Sequence, residues 1–390
     1  MSYLLKNAVL LDAAHLNEAQ DILVVNDKIA AVGKNLGPAD QVIDLQGYTV
    51  LPGFIDAHVH VAVFDEAFRD TAIRAWARNG VTTVRELGML SQLSQEDYAR
   101  WISEVNQQPE TARVIATGKY IDVAGGYGAG PNPNHPVGNL VTTAEEAADA
   151  VTKAHELGFP GIKIGIHDGR MDTTPHLSEE MAEAVCQRAA SHGMWVASHI
   201  GICRGADFML AAGVNELAHT PSDPMPEEMI VSMAARGIVM DTTVGDPDKG
   251  VEPPPPGMQL PPGFNLEKMA AERVERQRVV RENLKRYHDA GGKIVVGTDL
   301  IHSKDFSVDA AIPVGELKQL ALAGMELQEI IKAGTLSAAE VVGTGQEEGL
   351  IEEGRLANLV AVPGIVDTTF AALKNVKLVM HYGKIIRNEL

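Results

Sequence analysis

The pattern of apolar and polar residues divides the chain into two strand-rich ends and a middle in which strands and helices alternate. At both ends, short apolar or alternating runs separated by turn residues predict β-strands, and Asn26-Asp27 predicts a hairpin turn. We expect these strands at residues 3–11, 21–25, 28–32, 41–45, 48–51, 358–362, 376–381 and 384–387. This arrangement predicts one small composite β-sandwich built from residues 1–55 and 350–390. The alternative is two unrelated β-caps.

The middle, residues 56–349, has the pattern of repeated parallel βα units, with helical stretches such as 144–157, 178–191 and 266–289. We predict eight strands, at residues 50–61, 80–87, 113–121, 161–166, 194–200, 215–219, 237–244 and 293–300. Eight such units predict an α/β fold of the (β/α)8 TIM barrel type. A doubly wound open sheet is the competing architecture, but the Gly-rich phosphate fingerprint that would favour it does not follow the first strand.

Two unusual loops follow the third and seventh predicted strands. Residues 125–138 are rich in Gly, Pro and Asn, and residues 253–262 include six prolines. Both positions would lie over the C-terminal end of a barrel, where active sites are built. The functional interpretation is a lid or rim of an active site, and the alternative is an inert surface loop.

Composition narrows the class of partner. The 390 residues are 45% hydrophobic with a net charge of −19, which argues against nucleic acid or an anionic membrane surface because both favour clustered Lys and Arg. An anionic small molecule is not excluded, since local Arg residues could override the global field. Two cysteines, Cys186 and Cys203, make a disulfide framework improbable. The chain start lacks a signal-peptide pattern and no apolar stretch is long enough to span a bilayer, so we expect a cytoplasmic protein. A homo-oligomer is compatible with the sequence, which leaves the oligomeric state open.

The candidate chemistry lies at the ends of the predicted barrel strands. His58 and His60 are two residues apart on the first strand, so both imidazoles point to the same face. Lys163 lies between two isoleucines, and alternation places it inside the barrel, where a lysine is costly unless it is neutralised or has a function. Three further polar residues end strands five, six and eight: His199, His219 and Asp299. Each has a structural alternative, such as a core histidine or a turn-capping aspartate, but imidazoles and a carboxylate together are good ligands for zinc.

This order of His-x-His, Lys, His, His and Asp resembles the amidohydrolase superfamily. Three segments carry further resemblance: LPGFIDAHVH at 51–60, GVTTVRELG at 80–88 and GRLANLV at 354–360. The similarity covers nearly the whole chain and is nearest in character to the imidazolonepropionase and Xaa-Pro dipeptidase-like branch of metal-dependent hydrolases.

The resemblance implies a binuclear metal centre with two divalent ions, zinc being favoured, and a carbamylated Lys163 that bridges them. It implies that His58, His60 and Asp299 hold the more buried ion and that His199 and His219 hold the more exposed one. Two such ions ~3.5–4 Å apart would share a hydroxide nucleophile. Asp299 would be the general base that takes its proton and passes it to the leaving amine.

The chain departs from that branch in the loops expected to contact substrate. Relatives commonly carry histidine at the position of Tyr127, and residues 165–170 and 300–303 also differ from the usual pattern. Candidate substrate contacts are Tyr127, His135, His167, Arg170, Arg204 and His302; a solvated loop residue is the alternative for each. Either Arg170 or Arg204 could clamp a carboxylate. We interpret Cys203 as a buried thiol and not a nucleophile.

Three functions follow as hypotheses. The first is hydrolysis of an amide-type C–N bond in a small molecule, which includes linear or cyclic amides, dipeptides and N-acyl amino acids. The second is a mononuclear-metal deaminase or iminohydrolase, and Lys163 argues against it because such deaminases typically lack the bridging lysine. The third is a catalytically silent barrel scaffold, which would be expected to have lost ligand residues, whereas all six positions are filled here.

Overall fold

One eight-stranded sheet collects strands from both ends of the chain. The computed structural model describes residues 1–63, 65–91, 93–129, 137–166, 174–251, 265–300 and 309–390. Numbered along the chain, the strands of this sheet are β1 (Ser2–Leu11), β2 (Leu16–Val25), β3 (Lys28–Gly33), β4 (Gln41–Asp44), β5 (Tyr48–Pro52), β16 (Leu359–Pro363), β17 (Leu378–His381) and β18 (Lys384–Asn388). Their order is β18-β17-β16-β5-β1-β2-β3, with β4 pairing β1.

The two ends of the chain meet where β5 pairs with β16 in antiparallel register, with Leu51 opposite Val360. Apolar side chains from both ends, among them Leu5, Ile22 and Leu359, form a hydrophobic cluster of their own. The predicted strands at the two ends are therefore all present. β2 begins five residues before its predicted start, because its first half is exposed and carries no hydrophobic signal.

In the described part of the middle, two sheets together contain eight parallel strands. The first sheet has the order β6-β7-β8 and the second β11-β12-β13-β14-β15. Their bounds are β6 (Phe54–Val59), β7 (Val81–Glu86), β8 (Arg113–Ala116), β11 (Gly161–Gly165), β12 (Trp195–His199), β13 (Glu216–Leu217), β14 (Val239–Asp241) and β15 (Lys293–Val295). Within each of these two sheets, strands that are adjacent in space follow one another along the chain. The strand order therefore does not reverse within them, as it would in a doubly wound sheet.

Backbone hydrogen bonds join the two sheets on one side. The chain beyond β15 runs beside β6, where Ala57 N donates to Val296 O at 2.9 Å and Asp299 N donates to His58 O at 2.7 Å. The predicted third strand is interrupted: a separate short strand, β9 (Ile121–Asp122), follows β8 and pairs with β10 (Asn139–Leu140). The interruption falls at Gly118, where a side chain would collide with Gln95.

Helices alternate with the strands of the middle, as the periodicity predicts. In the described part of the chain they are α1 (Glu66–Arg78), α2 (Gln95–Val105), α3 (Ala144–Glu156), α4 (Glu179–Ser191), α5 (Cys203–Ala212), α6 (Glu227–Arg236), α7 (Leu266–Asp289), α8 (Val314–Leu322), α9 (Leu327–Ala333) and α10 (Leu336–Val342). Several begin at side-chain caps, for example Thr143 before α3 and Ser178 before α4. The fold is therefore of the α/β class, with its largest hydrophobic cluster shared by these helices and strands.

Candidate active site

His58 and His60 place their imidazoles on the same face of β6 and its continuation, and both are buried. His58 Nδ1 lies 3.0 Å from the carbonyl oxygen of Ala218, and His60 Nδ1 lies 3.2 Å from Glu86 Oε1. Each Nδ1–H therefore donates to an acceptor in the protein. In a neutral ring this leaves the lone pair of Nε2 free, and both Nε2 atoms face the same carboxylate.

That carboxylate belongs to Asp299. Its Oδ1 lies 3.4 Å from His58 Nε2 and 3.1 Å from His60 Nε2. Burial opposes the charge of the Asp299 carboxylate, but the facing imidazoles outweigh it and hold its pKa well below the ordinary range. Its backbone has a φ of 55°, in the left-handed region that a non-glycine residue seldom adopts. Such local strain is typical of functional positions.

His199 and His219 form the other half of the cluster. His219 Nε2 lies 2.8 Å from His199 Nδ1, and His219 Nδ1 lies 2.8 Å from Thr243 Oγ1. Burial lowers the pKa of His219 to about 4 and that of His199 well below its usual value, so both rings are neutral at pH 7. Thr243 also has a left-handed backbone, with φ 43°. Two neutral imidazoles side by side are suited to hold a cation.

Lys163 lies on β11, one strand from His199, and is almost completely buried. Its Nζ has no hydrogen-bond partner among the described residues. Burial lowers the pKa of Lys163 to about 8. A buried amine without a partner is costly as an ammonium ion. This location is the one that the alternation of residues 161–164 predicts.

These side chains fit a divalent metal ion. Ligand atoms of His58, His219 and Asp299 all lie within 4.8 Å of one another. The fully buried Nε2 of His58 has no hydrogen-bond partner in the part of the chain that the structure describes. Lone pairs that converge without a donor between them would be satisfied by a cation. Imidazole nitrogens with a carboxylate form the donor set that zinc and similar ions prefer.

The family of the chain is shown by comparison with known proteins. The model of the amidohydrolase family matches residues 49–386. The chain belongs to the amidohydrolase family. The hypothesis of a hydrolase that acts on carbon–nitrogen bonds is thereby confirmed at the level of the family.

The individual proteins that resemble this amidohydrolase match it either over a short stretch or at low sequence identity. An allantoinase of Salmonella paratyphi B is 44% identical over 77 residues, which span 18% of this chain and 17% of that protein. A crystal structure of a prolidase complexed with N-methylphosphonate-L-proline is 22% identical over 100% of both chains, with a TM-score of 0.80. The ochratoxinase of A. niger is 18% identical over 99% of this chain and 96% of that one, with a TM-score of 0.78. These structures show a shared TIM-barrel-like α/β fold.

Beneath the histidines, this amidohydrolase contains a buried charged network that the sequence analysis missed. Arg85 donates from both terminal nitrogens to Glu216, and its Nε donates to the carbonyl oxygen of Ala57 at 2.6 Å. Asp241 Oδ2 lies 3.6 Å from the guanidinium of Arg85 and 3.3 Å from His58 Nδ1. Burial and Glu216 raise the pKa of Asp241 well above its usual value. The missed signal is a charged residue inside an apolar strand, the same signal that identified Lys163.

Glu86 and Asp56 were also missed, and both support the His-x-His segment. Glu86 accepts from Ala62 N at 2.8 Å in addition to facing His60. Burial opposes the charge of His60, but hydrogen bonds with Asp299 and Glu86 outweigh it and raise its pKa to about 9. Asp56 accepts from Thr298 N at 3.0 Å and from Thr298 Oγ1 at 2.7 Å, which connects the segments that carry His58 and Asp299.

Two predicted substrate contacts lie in the described part of the chain. The ring of Tyr127 stacks on that of His199 with 4.0 Å between centroids, so it lies beside the cluster. Arg204 is exposed in the first turn of α5 and is not among the described residues that line the two cavities beside the cluster. His135, His167, Arg170 and His302 lie outside the described residues, as do residues 253–262.

Two cavities open over the cluster. The larger, about 960 Å³, includes Thr298, Asp299 and Leu300 in its described lining. The smaller, about 220 Å³, is lined by His199 and His219. Space for a small molecule therefore adjoins both halves of the cluster. Among the described residues, no helix has the length and apolar character needed to cross a membrane.

Proposed function

We propose that this amidohydrolase is a metal-dependent hydrolase that cleaves an amide-type C–N bond in a small molecule. The observation that carries the proposal is the convergence of ligand atoms from His58, His219 and Asp299 within 4.8 Å of one another. Two further imidazole rings lie beside these residues at the same end of the parallel strands: His60 is next to His58, and His199 is next to His219.

We assign His58, His60 and Asp299 to one divalent ion and His199 and His219 to a second. Lys163, carbamylated on Nζ, would bridge them. The support is chemical: the Lys163 amine is buried and has no hydrogen-bond partner among the described residues, and carbamylation would convert it into an anionic oxygen ligand. Zinc is the favoured metal, given the four imidazoles. When bound, the ions would supply Lewis acidity and a water of lowered pKa.

Asp299 would be the general base. Its carboxylate is ionised at neutral pH and lines the larger cavity, so it can accept a proton from the attacking water at Oδ1 or Oδ2. Its side chain is 37% exposed, which allows it to pass that proton to a leaving amine. The hydrogen bond that Glu86 accepts from His60 would orient the imidazole of His60 beside Asp299.

The proposal includes an architecture. We propose that residues 56–349 form a closed (β/α)8 barrel and that residues 1–55 and 350–390 form a separate β-sandwich domain. The hydrogen bonds that join β6 to the chain after β15 support closure on one side. The hydrophobic cluster shared by the two ends supports the separate domain.

A substrate screen tests the function. Purified protein loaded with zinc or manganese is assayed against N-acyl amino acids, Xaa-Pro dipeptides, lactams, cyclic imides and cyclic ureides that include allantoin. The prolidase and allantoinase named above motivate the second and last classes. We expect amide cleavage that is lost on chelation of the metal and restored by its return. Cleavage that is indifferent to chelation would overturn the proposal, and release of ammonia from amidine-like compounds alone would favour a deaminase.

A further inference from the structure

Arg276 is an arginine of α7 that lines both cavities over the cluster. Arg276 and Asp299 both line the larger cavity, and Arg276 lines the smaller cavity together with His199 and His219. It therefore stands where a molecule that reaches both halves of the cluster would pass. In the sequence alone Arg276 gives no functional signal, because a charged residue on a long charged helix predicts a solvated face.

Arg276 also differs from the neighbouring cations in having no partner within the described segments. Arg273 donates to the carbonyl oxygen of Asp246 at 2.9 Å, and Lys249 lies 3.5 Å from Asp309 Oδ1. Arg278, two residues further along α7, makes ion pairs with Glu275 and Glu282. A guanidinium without a carboxylate partner in a strongly acidic protein has its donors available for a ligand.

The segment of α7 that carries Arg276 is anchored to the site. Its buried neighbour Gln277 donates to the carbonyl oxygen of Val244 at 3.3 Å. Glu316 of α8 accepts from Val244 N at 3.0 Å and from Gly245 N at 2.5 Å. Gln319 donates to the carbonyl oxygen of Gly245 at 2.7 Å. Residues 244–245 follow Thr243, which contacts His219, so the base of the Arg276 side chain is fixed relative to the cluster.

We propose that Arg276 determines specificity by binding a carboxylate on the substrate. This inference rests on the proposed function and narrows its substrate class to amides that carry an anionic group, with N-acyl amino acids as the simplest example. The net charge of −19 disfavours an anion near the protein, so a local cation is needed to hold one. A guanidinium binds a carboxylate through two parallel N–H···O bonds, which fixes position as well as charge.

The test compares ligands that differ only in this charge. The dissociation constants of a panel of N-acetyl-L-amino acids and of their C-terminal amides are measured by calorimetry on the zinc-loaded full chain. For at least one pair, we expect the wild type to bind the acid more tightly than the amide. Arg276→Met should reduce that preference about 10- to 100-fold, as expected for loss of hydrogen bonds to a charged group. Arg276→Lys should retain part of it, because the charge remains without the bidentate geometry.

Arg278→Met is the matched control, since it removes a guanidinium from the same helix whose ion pairs lie within that helix. It should leave the preference unchanged. A wild type without preference for any acid, or an Arg276→Met variant that keeps the preference, overturns the role of Arg276. Hydrolysis is measured separately on the same panel. Preference for acids without any metal-dependent cleavage contradicts the proposed function alone, whereas cleavage without preference contradicts only the carboxylate site.

Discussion

Each imidazole of the His58–His60 pair has one nitrogen bonded to the protein and the other directed at Asp299. The acceptors are the carbonyl oxygen of Ala218 and the carboxylate of Glu86. This arrangement fixes the orientation of each ring and directs its Nε2 at Asp299. Asp299 is thereby surrounded by groups that keep it ionised. Its proposed role as base follows from that environment and from its partial exposure to the larger cavity.

Replacing Asp299 by Asn should reduce turnover by a factor of about 10² to 10⁴, the range typical of a lost general base. The substitution keeps the shape of the side chain and removes its ability to accept a proton. The fold should survive, with an unchanged circular dichroism spectrum. Asp246→Asn, in the lining of the same cavity, is the control and should stay close to wild-type activity. An Asp299→Asn enzyme with full turnover would show that the base lies elsewhere.

Replacing Arg85 by Met should destabilise the protein by about 3–5 kcal/mol, because it leaves Glu216 and Asp241 buried without their cation. Urea unfolding monitored by circular dichroism measures the change. Arg100→Met is the control: its pair with Asp97 is exposed and screened by solvent, so its loss should leave the free energy of unfolding close to that of the wild type. Equal effects of the two substitutions would show that the buried network does not contribute to stability.

The sequence identified residues whose type is unusual for their position and missed those whose role depends on partners. His58, His60 and Lys163 were found because strand alternation places them on one face. Glu86 was missed because a carboxylate at a strand end is common, and its contact with His60 on another strand is set by packing. Four of the six predicted substrate contacts lie outside the described residues, so those remain predictions.

At the scale of elements, the segment after β14 connects the cluster to the helices that cover it. Thr243 contacts His219, and the backbone of Val244 and Gly245 is held by Glu316 from α8. Burial raises the pKa of Glu316 from 4.5 to about 7. The folded protein therefore binds this proton more tightly than the unfolded chain does. The contribution is fully present below pH 4.5 and is lost as pH rises towards 7.

Glu316→Gln should therefore flatten the dependence of the free energy of unfolding on pH. The wild type should lose about 3 kcal/mol more than the variant between about pH 4.5 and 7, which corresponds to the raised pKa of Glu316. Urea unfolding at a series of pH values gives both curves. The substitution also changes the free energy of unfolding by an amount that does not depend on pH. The comparison is therefore made between the slopes of the free energy of unfolding against pH. Parallel curves would show that Glu316 titrates normally in the folded protein.

The order and type of the elements followed from periodicity, whereas their lengths did not. β13, β14 and β15 are each two or three residues long, shorter than the apolar runs that predicted them. The ends of those runs, which include His219, Thr243 and Asp299, lie beyond the regular ladder and form the site. β2 shows the opposite case, since an exposed half-strand is held by pairing with β1 and has no apolar signal.

For the whole molecule, the net charge and the proposed metal centre have opposite effects on an anionic ligand. The net charge of −19 disfavours anions at the surface, while a centre with two divalent ions would attract them locally. The α/β fold and the amidohydrolase family were predicted from the sequence, since the motifs that carry them are local. The substrate was not, because it depends on side chains such as Arg276 that only the packing of α7 brings to the site.

The most direct test of the account is the metal content of the whole protein. Wild type and Lys163→Ala, grown with added zinc, are analysed by mass spectrometry for metal ions per chain. We predict close to two ions in the wild type and clearly fewer in Lys163→Ala, because the variant lacks the carbamate that would bridge them. One ion in the wild type, unchanged in Lys163→Ala, would contradict the binuclear centre.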